Sequence, residues 1–324
     1  MLYIFIFITL FVVELLYFKI AYRFNIIDKP NERSSHTTVT LRGGGIIFYF
    51  AILLYFVFSD FPYQWFFLGL TLMTVISFLD DIFTLSNKIR LLIHFFSVLL
   101  MAYQLGMFSL PLYYLLFAFI FIVGVINAYN FMDGINGITA CYSLAVGSLL
   151  SLVNQKLEFI DQNLLNYTLL GILVFTFFNF RTSAKCFAGD VGSVAIAYIL
   201  LFGLGALILK TGSLIYILFL VIYGIDTVWT IIYRILRKEN IFKAHRSHLY
   251  QYLGNEAGVN KLMISLFYAF IQFVIGWLVI IYAEKDLNSQ IYFSIAIISG
   301  LSASYLVLKN YILKKYVNSE SELK

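Results

Sequence analysis

The segment 62-PYQWFFLGLTLMTVISFLDD-81 decides the fold of this chain. Residues 62–79 carry no charge and are long enough to cross the hydrocarbon core of a bilayer as a helix, and Asp80 and Asp81 end the run. The whole chain follows the same pattern, because 61% of its 324 residues are hydrophobic and only 12% are charged. Soluble domains are about one quarter charged. The sequence therefore predicts an integral membrane protein and excludes an ordinary soluble enzyme.

Repeated apolar runs predict an all-α bundle of eleven transmembrane helices in a single domain, residues 1–324. Short stretches of alternating polarity, which would indicate a membrane β-barrel, are not found in the sequence. The first run has neither a basic start nor a small-residue cleavage site, so we expect a retained helix rather than a signal peptide. The predicted spans are 2–22, 43–59, 62–79, 91–107, 111–129, 136–153, 163–180, 191–209, 213–233, 261–282 and 290–311.

The basic residues predict the orientation of these spans. All but three of the 22 lysines and arginines fall on one side when the loops alternate, and the exceptions are Lys156, Lys210 and Lys285. Basic loops face the cytoplasm. We therefore expect a multi-pass protein of the cell inner (cytoplasmic) membrane, with its N-terminus outside and its C-terminus inside. The predicted cytoplasmic loops are 23–42, 80–90, 130–135, 181–190 and 234–260.

The polar motifs that look chemical all lie on this predicted cytoplasmic face. They bring four acids to one side of the membrane: Asp80, Asp81, Asp133 and Asp190. Carboxylates of this kind hold Mg²⁺, or Mn²⁺, together with substrate phosphates. In 188-AGDVGS-193, an acid stands between glycines where a span begins, so backbone amides beside Gly189 could approach a phosphate. Lys88, Arg90, Arg33 and Arg246 could neutralise further phosphate charge. This one-sided pattern is typical of phosphoryl transfer at the membrane surface.

Simpler interpretations exist for each motif taken alone. Adjacent acids often end a helix as solvated charges, and 131-FMDGING-137 could be a plain turn. Two acids fall inside predicted spans: we expect Asp226 to have a functional or polar-network role and Glu14 to reach water. A polytopic secondary transporter is the alternative function; it requires essential charges at mid-span, where only Asp226 is suitable.

Five motifs, in order along the chain, resemble the polyprenyl-phosphate N-acetylhexosamine-1-phosphate transferases. That family includes the phospho-MurNAc-pentapeptide translocase of peptidoglycan synthesis and the enzymes that initiate O-antigen and other surface polysaccharides. The five matching stretches are 28-DKPNERSSHTTVTLRGGG-45, 78-FLDDIFTLSNKIR-90, 127-NAYNFMDGINGI-138, 187-FAGDVGS-193 and 224-GIDTVWTIIYRILRKENIFKAHRSHLYQ-251.

The resemblance implies a reaction and roles for individual residues. Polyprenyl (undecaprenyl) phosphate would attack the β-phosphorus of a UDP-N-acetylhexosamine, releasing UMP in an Mg²⁺-dependent step. Asp190 matches the metal-binding acid, Asp80 the acid that acts on the lipid phosphate, and Asp81 an acid that supports metal or substrate. A phosphate monoester has a second pKa of about 6, so it needs no strong base, and direct attack is expected over a covalent aspartyl-phosphate route. Further matches, to the substrate-binding and active-site polar groups, are Asn127, Asn130, Asp133, Lys88 and Arg90.

One departure from the family pattern concerns sugar recognition. Many members have a His-x-His-His cluster in the last cytoplasmic loop; here only His248 matches its first histidine, and Tyr250 and Gln251 stand where the others would be. Arg246 keeps the basic position before it. GlcNAc, FucNAc and QuiNAc therefore all remain open as the sugar, and the resemblance favours the surface-polysaccharide (lipopolysaccharide or cell wall) branch. The resemblance is compatible with a homodimer. No nucleic-acid partner is expected.

Overall fold

A computed structural model describes residues 1–30, 38–83, 85–240 and 246–318, and this part of the chain is almost entirely helical. Twelve α-helices occur in it. Their bounds are α1 Leu2–Arg23, α2 Ile47–Phe58, α3 Gln64–Phe83, α4 Asn87–Gln104, α5 Leu112–Met132, α6 Ile138–Leu157, α7 Gln162–Asn179, α8 Gly189–Thr211, α9 Val221–Leu236, α10 Leu249–Gln251, α11 Lys261–Tyr282 and α12 Leu287–Ile312.

Within the described residues, eight helical segments are long and apolar enough to cross a membrane. They contain α1, α3, α5, α6, α8, α9, α11 and α12. Helix α2 is too short to be counted with them, although a 3₁₀ turn at Gly44–Ile46 extends it, and α4 and α7 are more polar. The prediction of an all-α, multi-pass membrane protein is confirmed. Each predicted span overlaps one α-helix, although α2 is short and the span predicted at 213–233 begins as a 3₁₀ segment, Leu214–Leu220, before α9. The number of helices that cross the membrane and their orientation remain predictions.

Helix α8 lies at the centre of the bundle. It packs against α2, α3, α5 and α6. In its most apolar stretch of 18 residues, 83% of the residues are buried, whereas the figure for the segment that contains α12, at the periphery, is 6%. A helix that is apolar on every side needs protein or lipid on every side. For α8 that surrounding is protein, so its first turn is held in a fixed position. Asp190 is in that turn.

A two-stranded antiparallel sheet links the end of α1 to the start of α2. Strand β1 (Ile27–Asp28) pairs with strand β2 (Thr40–Leu41), with Ile27 opposite Leu41. Leu41 also bridges to Cys186, just before α8. This small sheet brings the segment that follows β2 against the start of α8. The residues between the strands, which include Arg33 and His36, lie partly outside the described residues.

Candidate active site

The glycines at 43–45 let two backbones meet at the start of α8. The Gly44 and Gly45 amides donate to the carbonyl oxygens of Phe187 and Ala188, at 2.9 and 3.2 Å. A Cβ on Gly45 would overlap the Cα of Gly192, and a Cβ on Gly192 would overlap Gly45. Only glycine allows so close an approach. The two Gly-rich motifs are therefore parts of one contact, and this contact brings Arg42 next to α8.

Asp81, at the end of α3, caps the N-terminus of α8. Its Oδ1 accepts from the backbone amide of Asp190 at 3.1 Å, and its Oδ2 accepts from that of Val191 at 3.0 Å. These amides have no partner within the helix, and a carboxylate there also interacts favourably with the helix dipole. The Asp81 side chain is fully buried and pairs with Arg42 Nε at 2.8 Å. Asp81 therefore fixes the backbone that carries Asp190.

Two arginines link the acids to one another. The Asp190 carboxylate lies between Arg42 and Arg90, at 3.4 and 3.2 Å from their guanidinium groups. Arg90, in the first turn of α4, also pairs with Asp80 Oδ2 at 2.7 Å, while Asp80 Oδ1 accepts from the Leu85 amide. Three acids and two guanidinium groups from distant segments thus form one charged cluster. We call these five residues the acid–arginine cluster.

Asp133 faces this cluster from the end of α5. Burial is the main reason that the pKa of its carboxyl is raised to about 7; the negative charges of Asp190 and Asp81 add to the rise, and Thr139 and the charge of Arg42 oppose it. The Asp133 carboxyl is therefore poorly hydrated and lies close to two of the other acids. One turn earlier on α5, Asn130 donates to Ser193 Oγ at 3.2 Å and ties α5 to α8.

Among the described residues, two of the predicted substrate-binding residues are exposed, and two others pair with acids outside this cluster. Asn127 is exposed, and its amide donates back to the Val123 carbonyl within α5. Lys88 is exposed. Arg246 pairs with Glu256 at 2.8 Å, and His248 is buried with its Nδ1 3.2 Å from Asp226 Oδ1. The fifth, Gly189, has φ of +71° and packs against Asp81 Oδ2 and Gly43. Their roles in binding substrate remain predictions.

Two residues of α1 support the site although the sequence gave no reason to place them there. Tyr17 donates to the Arg42 carbonyl at 2.6 Å. Glu14 is completely buried, and its Oε1 lies 3.6 Å from Cys186 Sγ. The expectation that Glu14 reaches water is therefore wrong, because the Gly44 and Cys186 segments cover it. Arg42 is a further site residue that the sequence analysis did not single out; its place directly before three glycines is the signal that the sequence offers.

The residues present fit a divalent cation at Asp190 better than at Asp81. Among the described residues no three acid, histidine or cysteine side chains are close enough together to form a complete metal site. A site completed by substrate phosphates needs only one or two carboxylates. Both oxygens of Asp81 already accept backbone hydrogen bonds, whereas Asp190 is bound by the two guanidinium groups, and Asp133 is close to Asp190.

Two cavities adjoin the segment that carries Asp133. An apolar cavity of about 580 Å³ lies between α5 and α9, and Ala128, Tyr129 and Gly224 are among its lining residues. A more polar cavity of about 240 Å³ is lined by Asn136, Arg181 and the start of α11. The site thus has an apolar approach and a polar approach on either side of residues 128–136.

Comparison with known proteins places these features in context. Residues 63–210 match the sequence profile of glycosyl transferase family 4. The chain is 27% identical to a probable undecaprenyl-phosphate N-acetylglucosaminyl 1-phosphate transferase of Bacillus subtilis, over 86% of this chain and 82% of that protein. It is 26% identical to an undecaprenyl-phosphate alpha-N-acetylglucosaminyl 1-phosphate transferase of Thermotoga maritima, over 76% and 79%. A phospho-N-acetylmuramoyl-pentapeptide-transferase of Clostridium perfringens is 30% identical over 52% of this chain and 54% of its own length.

Proposed function

We propose that the chain transfers N-acetylhexosamine-1-phosphate from a UDP-sugar to undecaprenyl phosphate, because residues 63–210 match glycosyl transferase family 4 and its relatives are named for this transfer. An oxygen of the lipid phosphate attacks the β-phosphorus of the donor, and the bond from that phosphorus to the α–β bridging oxygen breaks. UMP leaves, and polyprenyl-diphosphate-sugar remains. The observation that carries the proposal is the position of Asp190, held at the start of α8 between two arginines and close to the other three acids.

Asp190 and Asp133 are the residues proposed to hold Mg²⁺, with Mn²⁺ as the substitute. A bound divalent cation would neutralise charge on the diphosphate and polarise its oxygens. The nearness of Asp133 to Asp190 supports this assignment, because a cation bound by both would offset the mutual repulsion of the two carboxylates. Asp81 is assigned the supporting role that its hydrogen bonds suggest: it holds the Asp190 backbone in place.

Arg42 and Arg90 are proposed to bind the phosphates. Each guanidinium is about one third exposed, and each already bridges two carboxylates of the cluster. A guanidinium group binds phosphate through two parallel hydrogen bonds, so these side chains can exchange a carboxylate for a phosphate without leaving the site. Asp80 would then orient the Arg90 guanidinium group and the acceptor phosphate. Its pairing with Arg90 supports an orienting role over that of a general base, since the acceptor phosphate is already largely ionised at neutral pH.

The two cavities suggest how both substrates reach the same centre. The apolar cavity between α5 and α9 has room for part of a polyprenyl chain, and it ends beside Ala128 and Tyr129, about one turn before Asp133. The polar cavity at Asn136 and Arg181 offers a guanidinium group to a nucleotide; the Asn136 amide already donates to the carbonyls of Arg181 and Thr182. With the lipid on one side and the UDP-sugar on the other, the reacting phosphates would meet between Asp133 and Asp190.

The setting of this reaction follows from the predicted topology. We propose that the eleven predicted spans place the acid–arginine cluster on the cytoplasmic face of the cell inner membrane, where UDP-sugars occur. The product would start a cell-surface polysaccharide. A homodimer is part of the proposal only by family resemblance. The transporter alternative loses its main support, because the Asp226 carboxylate is engaged by hydrogen bonds from Leu249, Tyr268 and other neighbours.

A purified-protein assay tests the function. The full chain in lipid nanodiscs is mixed with undecaprenyl phosphate and, separately, UDP-GlcNAc, UDP-FucNAc and UDP-QuiNAc, and UMP is measured with and without Mg²⁺. UMP release that requires both the lipid and the cation is expected for at least one sugar. Absence of lipid-dependent UMP release with every UDP-N-acetylhexosamine would refute the proposal. The Asp190→Asn variant should be inactive although it inserts and folds normally.

A further inference from the structure

The Asp226 side chain joins four helical segments inside the bundle. It is buried in α9, where its Oδ1 accepts from the Leu249 amide at 3.1 Å and its Oδ2 accepts from Tyr268 of α11 at 2.8 Å. His248 Nδ1 and the hydroxyl of Tyr305 on α12 lie 3.2 and 3.4 Å from Oδ1. A buried carboxylate with this many partners keeps a fixed position. The segment around α10 is therefore attached firmly to α9, α11 and α12.

Lys309 of α12 provides a second attachment for the same segment. Its ammonium group is almost fully buried and donates to the Ser247 carbonyl at 2.9 Å and to the Tyr305 hydroxyl at 2.8 Å. A buried ammonium is costly unless it is paired and hydrogen-bonded. Here the carboxylate of Asp226, one hydroxyl away, provides the opposite charge. The residue just before His248 is thus fixed independently of the His248–Asp226 contact.

Tyr250 extends this attachment to the candidate active site. Its ring stacks on His248 with centroids 5.7 Å apart, and it is completely buried. Its hydroxyl donates to the carbonyl oxygen of Phe131 at 2.9 Å. The same hydroxyl packs against Gly134, where a Cβ would overlap it. Phe131 and Gly134 flank Asp133 in the chain, so one tyrosine holds the backbone on both sides of that acid.

We propose that Tyr250, held in place by His248 and Asp226, is a positioning residue that sets the place of the Asp133 carboxylate relative to Asp190. On this account His248 acts through Tyr250 and does not itself touch the sugar. The kinetic consequence rests on the proposed transferase function, but the structural link does not. The Asp133 and Gly134 amides make short-range bonds, to the carbonyls of Asn130 and Met132. Other hydrogen bonds from outside the loop reach Asn130 and Asn136, at its two ends, whereas Tyr250 contacts the residues next to Asp133.

The test removes the Tyr250 hydroxyl and compares the effect with that of removing another buried tyrosine hydroxyl elsewhere in the chain. Tyr250→Phe deletes the bond to Phe131 and keeps the ring. Tyr55→Phe is the control: Tyr55 is also buried, and its hydroxyl donates to Asp161 at 2.9 Å, near the start of α7 and away from the acid–arginine cluster. Hydrogen–deuterium exchange over residues 130–136 and steady-state kinetics are measured for the full chain and both variants in nanodiscs, with undecaprenyl phosphate and the active UDP-sugar.

Tyr250→Phe is expected to speed exchange over residues 130–136 and to lower kcat about tenfold, the size expected for one lost hydrogen bond that orders a catalytic group. The KM for the UDP-sugar should stay within about twofold, because no binding contact is removed. Tyr55→Phe should change neither quantity. Unchanged exchange in Tyr250→Phe, or an equal kcat loss in Tyr55→Phe, would overturn the proposal. If the wild-type protein releases no UMP, the transferase function fails, and the exchange data alone decide whether Tyr250 holds the loop.

Discussion

Replacing Asp81 with asparagine should destabilise the protein as well as inactivate it. The Asp81 carboxylate accepts hydrogen bonds on both oxygens, from the Asp190 and Val191 amides, and pairs with Arg42. An asparagine amide has only one acceptor oxygen. Whichever way it is turned, its NH₂ group faces an N–H donor instead of accepting from it. The variant therefore loses at least one hydrogen bond and leaves a donor unsatisfied in a fully buried position.

The size of this effect follows from those contacts. The donor left unsatisfied is one of the capped N–H groups, and an unsatisfied buried donor costs about 1–3 kcal/mol. The usual cost of losing a helix cap, about 1 kcal/mol, lies in the same range. The lost ion pair adds little, because Arg42 is one third exposed and retains Asp190. The free energy of unfolding should fall by roughly 1–3 kcal/mol, which lowers Tm by roughly 2–6 °C. Asp190→Asn should shift Tm by less than about 2 °C, because Asp190 has only two long, partly exposed ion pairs.

The two variants are compared by thermal unfolding of the purified protein in detergent and by UMP release. Both should be inactive, but only Asp81→Asn should unfold at a clearly lower temperature. The difference separates a residue that holds the site together from one that acts in it. A Tm for Asp81→Asn equal to that of the wild type, or a larger drop for Asp190→Asn, would refute the capping role.

Three further predictions concern other parts of the site. Gly45→Ala should lower Tm by several degrees, because its Cβ overlaps Gly192, whereas Gly300→Ala on α12 has open space and should not; thermal unfolding checks both. Gly224→Phe should fill the apolar cavity and raise the KM for undecaprenyl phosphate about tenfold, while the KM for the UDP-sugar stays the same. Because the pKa of Asp133 is about 7, a proton competes with the cation below that pH. The apparent Mg²⁺ affinity should therefore rise about tenfold per pH unit from pH 5.5 to 6.5 and level off above 7.5, as Mg²⁺ titrations of turnover would show; a flat pH dependence would contradict the assignment of Asp133.

Apolar runs alone were enough to locate the helices. The span expected at residues 2–22 is helix α1, Leu2–Arg23, and that expected at 261–282 is α11, Lys261–Tyr282. Hydrophobic length determines these bounds, so they can be read from one sequence. The central position of α8 could not be predicted in this way. Its composition resembles that of the peripheral α12, and only packing distinguishes a helix surrounded by protein from one that faces lipid.

The site was predictable as a set of acids but not as a set of contacts. The one-sided clustering of Asp80, Asp81, Asp133 and Asp190 correctly brought together groups that the structure places around α8. The role of Asp81 as a cap could not be foreseen, because it depends on where the end of α3 meets the start of α8. Tyr250 is a similar case: the sequence marked it only as a departure from a histidine pattern, while its contact with Phe131 depends on the fold.

The fate of the two donor phosphates tests the central claim most directly. The wild-type protein is given undecaprenyl phosphate, Mg²⁺ and its UDP-sugar, labelled with ³²P at the α-phosphate in one reaction and at the β-phosphate in another. The account predicts that the β-label enters the lipid and the α-label appears in UMP. With the Asp190→Asn variant, both labels should remain in the UDP-sugar. Retention of both labels in soluble UDP, with only the sugar passing to the lipid, would contradict it.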